Sequence, residues 1–252
     1  MKKLYNIILL SFLTFLCAVN LNAQTRITFG PADCKEQGNG ILTRSDVNAR
    51  ISKIQGSLEV VIEDGITEIG NYAFFNCDKL ERVEMESVKS IGDNVFYGCI
   101  LLEKLKMSSV TFIGCFVFSG CIKLERVEMP SVTDIRGFAF SGCVGLLSVE
   151  MPLAKMIGGS VFEGCSRLER VKIEAVKSIG DYTFSGCVKL DSITILTPTP
   201  PDLIGNDTFF NVPDTCILYI SSRSALDLYI ADPKWSTQFQ GSIVVITLSS
   251  GE

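Results

Sequence analysis

Apolar residues return along this chain at a fixed step of 22. Isoleucines stand at Ile69, Ile91, Ile113, Ile135, Ile157 and Ile179. Phenylalanines follow in phase at Phe74, Phe96, Phe118, Phe140, Phe162 and Phe184, then cysteines at Cys77, Cys99, Cys121, Cys143, Cys165 and Cys187. Leucines close the unit at Leu80, Leu102, Leu124, Leu146, Leu168 and Leu190. A shorter rhythm sits inside this one. After Val60/Ile62, the pairs Val83/Met85, Leu105/Met107, Val127/Met129, Val149/Met151, Val171/Ile173, Ile193/Ile195 and Leu218/Ile220 alternate with mostly polar residues. Period-two alternation within a long fixed period predicts one short strand per coil, laid parallel to the last at ~4.8 Å. No such unit buries its apolar face alone, so the coils must stack as a solenoid.

The other half of each coil reads Ile-Gly-Asp-x-x-Phe-x-Gly-Cys, as in Ile91 to Cys99 and Ile179 to Cys187. Gly92 and Gly180 permit a sharp turn, and Asp93 and Asp181 are expected to cap one turn of helix. The phenylalanine then points inward onto its neighbour in the next coil. Each ring contributes ~25 cal/mol per Å² of apolar area buried.

The ends break the rhythm. Gln24 to Gly40 carries one Cys34 and no clear period. In Leu42 to Ile54, Ser45 or Asp46 is expected to cap a short helix with Val47, Ile51 and Ile54 on one side, closed by Gly56. Such a helix would cover the open first coil. Near the other end, the step from Ile179 to Ile204 is 25, and the prolines between Leu196 and Ile204 predict an edge bulge. Phe209 restores the phase while Val212 replaces the cysteine. Ser221 to Trp235 reads as a capped helix stopped before Pro233, with Leu226, Tyr229 and Ile230 on one face, and Ile243 to Thr247 as a last strand. The expected division is a leader at 1–23, an N-terminal segment and cap at 24–56, a solenoid of about seven coils at 57–220, and a C-terminal cap at 221–252.

Met1 to Gln24 carries Lys2 and Lys3, an apolar run from Ile7 to Val19, and Leu21-Asn22-Ala23. This is the form of a secretory signal peptide cut after Ala23. The alternatives are a retained anchor, for which the run is short of the ~20 residues a span needs, and lipid attachment at Cys17, which bulky Leu16 opposes. The formal net charge of −5 disfavours nucleic acid. Histidine is absent, which removes His-based triads and most zinc sites.

The cysteine file sits between apolar positions, where a thiol behaves as a small hydrophobe. Metal sites use closely spaced pairs, so free buried thiols are expected and no metal or cofactor. Cys34, Cys115 and Cys216 lie outside the file; Cys115 takes the place of Asp93 at the start of a turn, and a Cys34 disulfide stays open.

The unit Ile-Gly-x-x-x-Phe-x-Gly-Cys-x-x-Leu-x-x-Val-x-Met-Pro, complete with Met129-Pro130 and Met151-Pro152, resembles the BspA-like (Treponema-type) leucine-rich repeat. Pro200 to Ile246 is similar to that family's ending, and the match runs from about Ser57 to Thr247. The resemblance implies an α/β solenoid, mostly β: a right-handed leucine-rich-repeat superhelix with one parallel sheet on the concave face and short helical turns on the convex face. It also implies a secreted or cell-surface protein, with adhesion to a host extracellular-matrix protein or surface glycan as a described role. It brings no catalytic residues.

The outward strand letters differ from coil to coil. One file is Glu81, Glu103, Glu125, Leu147, Glu169 and Asp191; beside it run Arg82, Lys104, Arg126, Ser148, Arg170 and Ser192; a third is Glu84, Lys106, Glu128, Glu150, Lys172 and Thr194. The expected binding face is therefore Glu81, Arg82, Glu84, Glu103, Lys104, Lys106, Glu125, Arg126, Glu128, Glu150, Glu169, Arg170 and Lys172. Its plain alternative is a solvated sheet of mutually neutralising charges worth ~0–1 kcal/mol per pair, on a spacer with no specific ligand. Interleaved Arg and Lys argue against Ca²⁺. Acidic pairs imitate a glycosidase, but a core filled by side chains leaves no pocket, so no enzyme is expected.

Overall fold

The structure, a computed structural model, describes residues 24–37 and 40–246. The leader read at 1–23 and the tail from 247 lie outside the described residues. The chain winds as a stack of coils, each built from one long strand, one two-residue strand and one turn segment. The long strands are β1 (Thr25–Phe29), β3 (Leu58–Ile62), β5 (Leu80–Glu84), β7 (Lys104–Lys106), β9 (Arg126–Glu128), β11 (Ser148–Met151), β13 (Arg170–Ile173), β15 (Ser192–Ile195), β17 (Ile217–Ile220) and β18 (Ile243–Val245). The short ones are β2 (Ile41–Leu42), β4 (Glu68–Ile69), β6 (Ser90–Ile91), β8 (Phe112–Ile113), β10 (Asp134–Ile135), β12 (Met156–Ile157), β14 (Ser178–Ile179) and β16 (Asp202–Leu203).

Every pairing among these strands is parallel, as the step of 22 requires, but the expected single sheet is three. The short strands form one continuous eight-stranded sheet. The long strands divide into a four-stranded sheet, β1-β3-β5-β7, and a six-stranded sheet from β9 to β18. Between β7 and β9 the long-strand ladder is open. The solenoid also starts earlier than the periodic reading placed it. Thr25–Phe29, read as part of a segment without period, alternates Ile27 and Phe29 inward and pairs in register with β3.

The opposite side carries hydrogen-bonded turns where short helices were expected. Tyr72 and Asn76 hold φ of 61° and 54°, a left-handed backbone that breaks any helix. Every second N–H of the segment points along the stack: Tyr72 donates to Asp93 O at 2.9 Å, Phe74 to Val95 O at 3.0 Å and Asn76 to Tyr97 O at 2.8 Å. This third ladder repeats through most of the coils. The glycine that follows the isoleucine in most coils (Arg136 stands there after Ile135) is set by close approach as much as by turning, since a Cβ on Gly180 would collide with the backbone of Gly158 and Gly159.

Between the three ladders lies the core. The phenylalanines form one continuous stack, with centroid separations of 5.3 Å for Phe74–Phe96, 5.0 Å for Phe118–Phe140 and 5.6 Å for Phe184–Phe209. Phe29 covers one end edge-on at 6.1 Å. Trp235 and Phe239 cover the other at 5.5 and 5.1 Å from Phe209.

Both caps differ in detail from expectation. Helix α1 (Arg44–Ile51) is capped by Thr43, not by Ser45 or Asp46, and ends at Ser52 rather than at Gly56. Asp46 is the third helical residue, and its carboxylate accepts Thr43 N–H at 3.0 Å, a reciprocal capping box. Burial pushes the Asp46 carboxyl up, yet the bonds from Thr43, Lys35 and Glu36 overcome it and hold its pKa below the ordinary value. At the far end, Ser222 caps α2 (Arg223–Ala231) and Asp232 caps α3 (Pro233–Gln238). Of the face read as Leu226, Tyr229 and Ile230, only Tyr229 is fully buried; Ile230 stays exposed because Trp235 fills the space over the last coil.

Candidate ligand-binding face

All thirteen residues of the expected face lie on or beside the long strands from β5 to β13, and each is exposed or half-buried. Strand alternation explains the arrangement. Val83, Val127, Val149 and Val171 turn inward and are buried, so Arg82, Glu84, Arg126, Glu128, Glu150, Arg170 and Lys172 turn out. Glu81 departs from this pattern. The register slips between the partners of Leu58 and Glu59, so Glu81 is the extra residue of a bulge.

The charges divide into two groups. Near β1–β5 they pair: Arg82 with Glu59 at 3.7 Å, Lys106 with Glu84 at 3.4 Å, and Arg26 with both glutamates at 3.2 and 3.6 Å. At β13, Arg170 meets Glu169 at 3.3 Å and Lys172 meets Glu174 at 2.9 Å. The Glu174 hydrogen bond and charge push the Lys172 pKa up. Between these groups, among the described residues, Lys104, Arg126, Glu125, Glu128 and Glu150 have no opposite charge within 4 Å. Glu103 is held outward by Lys123 at 3.4 Å.

Lys104, Glu125, Arg126 and Glu128 of this group border the open seam between β7 and β9, with Glu150 one strand further on. Where the ladder is intact, Met85 N–H donates to Lys106 O and Met129 N–H to Glu150 O, both at 2.9 Å. The matching N–H of Met107 reaches no acceptor among the described residues, and neither does that of Glu125, although its counterparts on Glu103 and Leu147 are bonded. Leu105 is half-buried, whereas Val83 and Val127 on either side are closed off. Like charges oppose across the seam, Lys104 to Arg126 and Glu103 to Glu125, and such pairs weaken a ladder. Lys106 could offset them against Glu128 but is engaged by Glu84. Two clefts of about 360 and 440 Å³ flank the gap, sharing Glu103, Lys104 and Glu125.

Reading the residues missed Arg26, Glu59 and the seam itself. The alternation of Arg26-Ile27-Thr28-Phe29 was the available signal for β1 and so for Arg26. Nothing in the repeat marked the seam, because its inward letters Leu105 and Val127 obey the pattern. Of the cysteine file, Cys99, Cys121, Cys143, Cys165 and Cys187 are buried free thiols, whereas Cys77 in the first of these coils is free but only half-buried; burial pushes Cys143 and Cys187 up to about 12. Cys34 and Cys216 are free and buried too, while Cys115 is half-buried and takes the Asp93 carboxylate on its N–H at 2.7 Å. Among the described residues, no group of three or more His, Cys, Asp or Glu could hold a metal ion, and no helix is long and apolar enough to cross a membrane.

The chain is similar to a leucine-rich repeat protein of T. pallidum, at 28% identity and a TM-score of 0.60, over 71% of this chain and 86% of that one. Weaker likenesses extend to a leucine-rich repeat protein from Bacteroides ovatus (23% identity, TM-score 0.28, 68% of this chain and 70% of that one) and to a leucine-rich cell surface protein from Faecalibacterium prausnitzii (18%, 0.30, 82% and 90%). No curated protein matches it. The family model for the BspA type leucine rich repeat region matches in six copies, over residues 53–156 and 89–216. With its isoleucine, phenylalanine and cysteine files stacked in register over that span, the chain belongs to the BspA-type leucine-rich-repeat family.

Proposed function

We infer that this chain is an extracytoplasmic, non-enzymatic recognition protein that holds a protein partner on its long-strand face, the concave side of a leucine-rich-repeat arc. The observation that carries the reading is the seam. Among the described residues, Lys104, Arg126, Glu125 and Glu128 stand there with no opposite charge within 4 Å, next to open backbone groups and half-buried Leu105. Unpaired charges around an uncovered apolar side chain are what a partner with complementary charge would cover. The leader read at 1–23 supports placement outside the cytoplasm, as a secreted or surface protein. A host extracellular-matrix protein is the partner the family suggests.

Charge reversal tests this. The protein without its leader is screened for saturable binding against matrix proteins and, separately, surface glycans. Arg82→Glu, Lys104→Glu, Arg126→Glu and Arg170→Glu together should abolish capture of the protein partner. Unchanged affinity would sink the site, saturable binding of glycans alone would replace the partner class, and no saturable binding at all would favour a spacer.

A further inference from the structure

Each ladder must end somewhere, and a backbone group left over at an end needs a partner. The short-strand ladder ends on carbonyls. Asp202 N–H donates back to Lys177 O and Ile204 N–H to Ile179 O, both at 2.9 Å, so one coil on the open acceptors are Pro201 O and Leu203 O. Helix α3 closes both: Trp235 Nε1 donates to Pro201 O at 3.0 Å, and Lys234 Nζ to Leu203 O at 2.7 Å and Gly205 O at 3.0 Å. At its N-terminal end the turn ladder also ends on carbonyls, and Arg44 Nη1 donates to Phe75 O at 3.2 Å.

The C-terminal end of the turn ladder is different, because it ends on donors. Phe184 N–H reaches Thr208 O and Gly186 N–H reaches Phe210 O, both at 2.8 Å. One coil later those two places belong to Phe209 and Asn211. Neither N–H meets an acceptor among the described residues. Asn211 holds φ of 60°, close to the 73° of Gly186, so the direction of the ladder is kept. A cavity of about 620 Å³ lies there, where the turn of a further coil would go, with Lys234 and Gln238 of α3 on its wall. Its size falls within the roughly 300–1,000 Å³ of small-molecule sites.

The wall decides the chemistry. Asp207 and Asp214 both line the cavity, while Lys234, its single cation, is already engaged with carbonyls. A free anion is therefore repelled, although successive N–H groups around a left-handed residue favour acceptor oxygens. Phe210, 54% exposed, offers a ring, and Gln238 offers an amide. A ligand suited to this wall accepts from two N–H groups, donates to carboxylates, carries no negative charge and has an apolar face for a ring. We propose that this end cavity is a binding site for a neutral saccharide, separate from the long-strand face.

The full chain is titrated with glucose, galactose, mannose and N-acetylglucosamine, following backbone amides by NMR, with acetate and inorganic phosphate as anionic probes. The expected result is saturable shifts of the Phe209 and Asn211 amides with at least one sugar at millimolar concentration. Phe210→Ala and Gln238→Ala, both at non-core positions, should each weaken that binding at least tenfold, while Lys104→Glu on the other face leaves it unchanged. Saturation by acetate or phosphate in place of sugar, no saturable shift with any of the four sugars, or sugar binding untouched by Phe210→Ala would each overturn the proposal. Any of these leaves the long-strand reading standing.

Discussion

The thiol of Cys143 donates to the main-chain carbonyl of Phe118, one coil back, across 3.0 Å. The same carbonyl accepts Cys121 N–H at 3.0 Å, so both of its lone pairs are used. The bond recurs from Cys99 to Phe74, Cys121 to Phe96, Cys165 to Phe140 and Cys187 to Phe162, at 3.2 to 3.3 Å. Two of the recurring letters of the repeat thus serve one register: the ring stacks on its neighbour while its carbonyl is closed by a thiol. Cys143→Ala removes a buried donor and leaves a small void, so a loss of about 1–2 kcal/mol is expected. Urea unfolding measures it, and an unchanged midpoint would reduce the cysteine file to filler.

Alkaline pH should unfold this protein early. A free thiol ionises near ~8.5 in the unfolded chain, whereas burial holds Cys143 and Cys187 neutral up to about 12. Their stabilising contribution is complete below the unfolded value and is lost as pH rises towards the folded one. Between the two, each such thiol costs about 1.4 kcal/mol per pH unit, because the unfolded state binds one proton fewer. Urea midpoints should hold from pH 7 to about 8.5 and fall steadily from there to pH 10, and Cys143→Ala should flatten that slope by about one proton. A slope equal to that of the parent would show that Cys143 does not carry the effect.

Phe140 stacks on Phe118 at 5.0 Å and on Phe162 at 5.6 Å, so its removal opens the stack on both sides. Phe140→Ala should cost about 3–5 kcal/mol. Coils touch only their neighbours, so the loss should also uncouple the two halves of the solenoid. Calorimetry is expected to show a broadened or double transition. A single sharp transition at the parent temperature would contradict the stack as the source of cooperativity.

Gly180→Ala sets a Cβ against the backbone of Gly158 and Gly159. Neither neighbour has a side chain to move, so the coils must part or the turn must shift. A destabilisation of about 1–3 kcal/mol follows, as for other overpacked sites. Gly137→Ala, whose Cβ would come no closer than 3.2 Å to Gly159 O, should cost less. Equal midpoints for the two variants would remove close approach as the reason for glycine at position 180.

What the sequence made legible was whatever a period repeats. Ile91, Phe96, Cys99, Leu102 and Met107 lie in the core because every coil must bury the same positions, and each is buried. Even Phe209, displaced by an insertion, keeps its place on Phe184. The turn ladder was less legible, since it depends on residues such as Tyr72, Phe116 and Tyr182 holding positive φ, which their side chains do not announce. Leu105 shows the limit most plainly. It has the right letter in the right phase, yet it is half-buried, because a gap between two strands is a property of neither.

The seam predicts its own signature in amide exchange. Met85 N–H and Met129 N–H are bonded at 2.9 Å to the following strands, and Met107 N–H lies between them in sequence and in phase without a partner among the described residues. Exchange tracks local opening, so the bonded pair should be protected by the coils around them. Met107 should exchange at least tenfold faster than either, with Glu125 faster than Leu147 for the same reason. The short-strand and turn ladders stay closed at this junction, with Thr133 N–H on Thr111 O at 2.9 Å and Phe116 N–H on Gly137 O at 3.1 Å. Their amides should remain protected, which separates a seam confined to one face from a coil that has come loose as a whole. A partner bound across the long-strand face should slow Met107 and Glu125 and leave Thr133 unchanged. Uniform exchange at Met85, Met107 and Met129 in the unbound protein would mean that the ladder is closed, and the binding face would lose its centre.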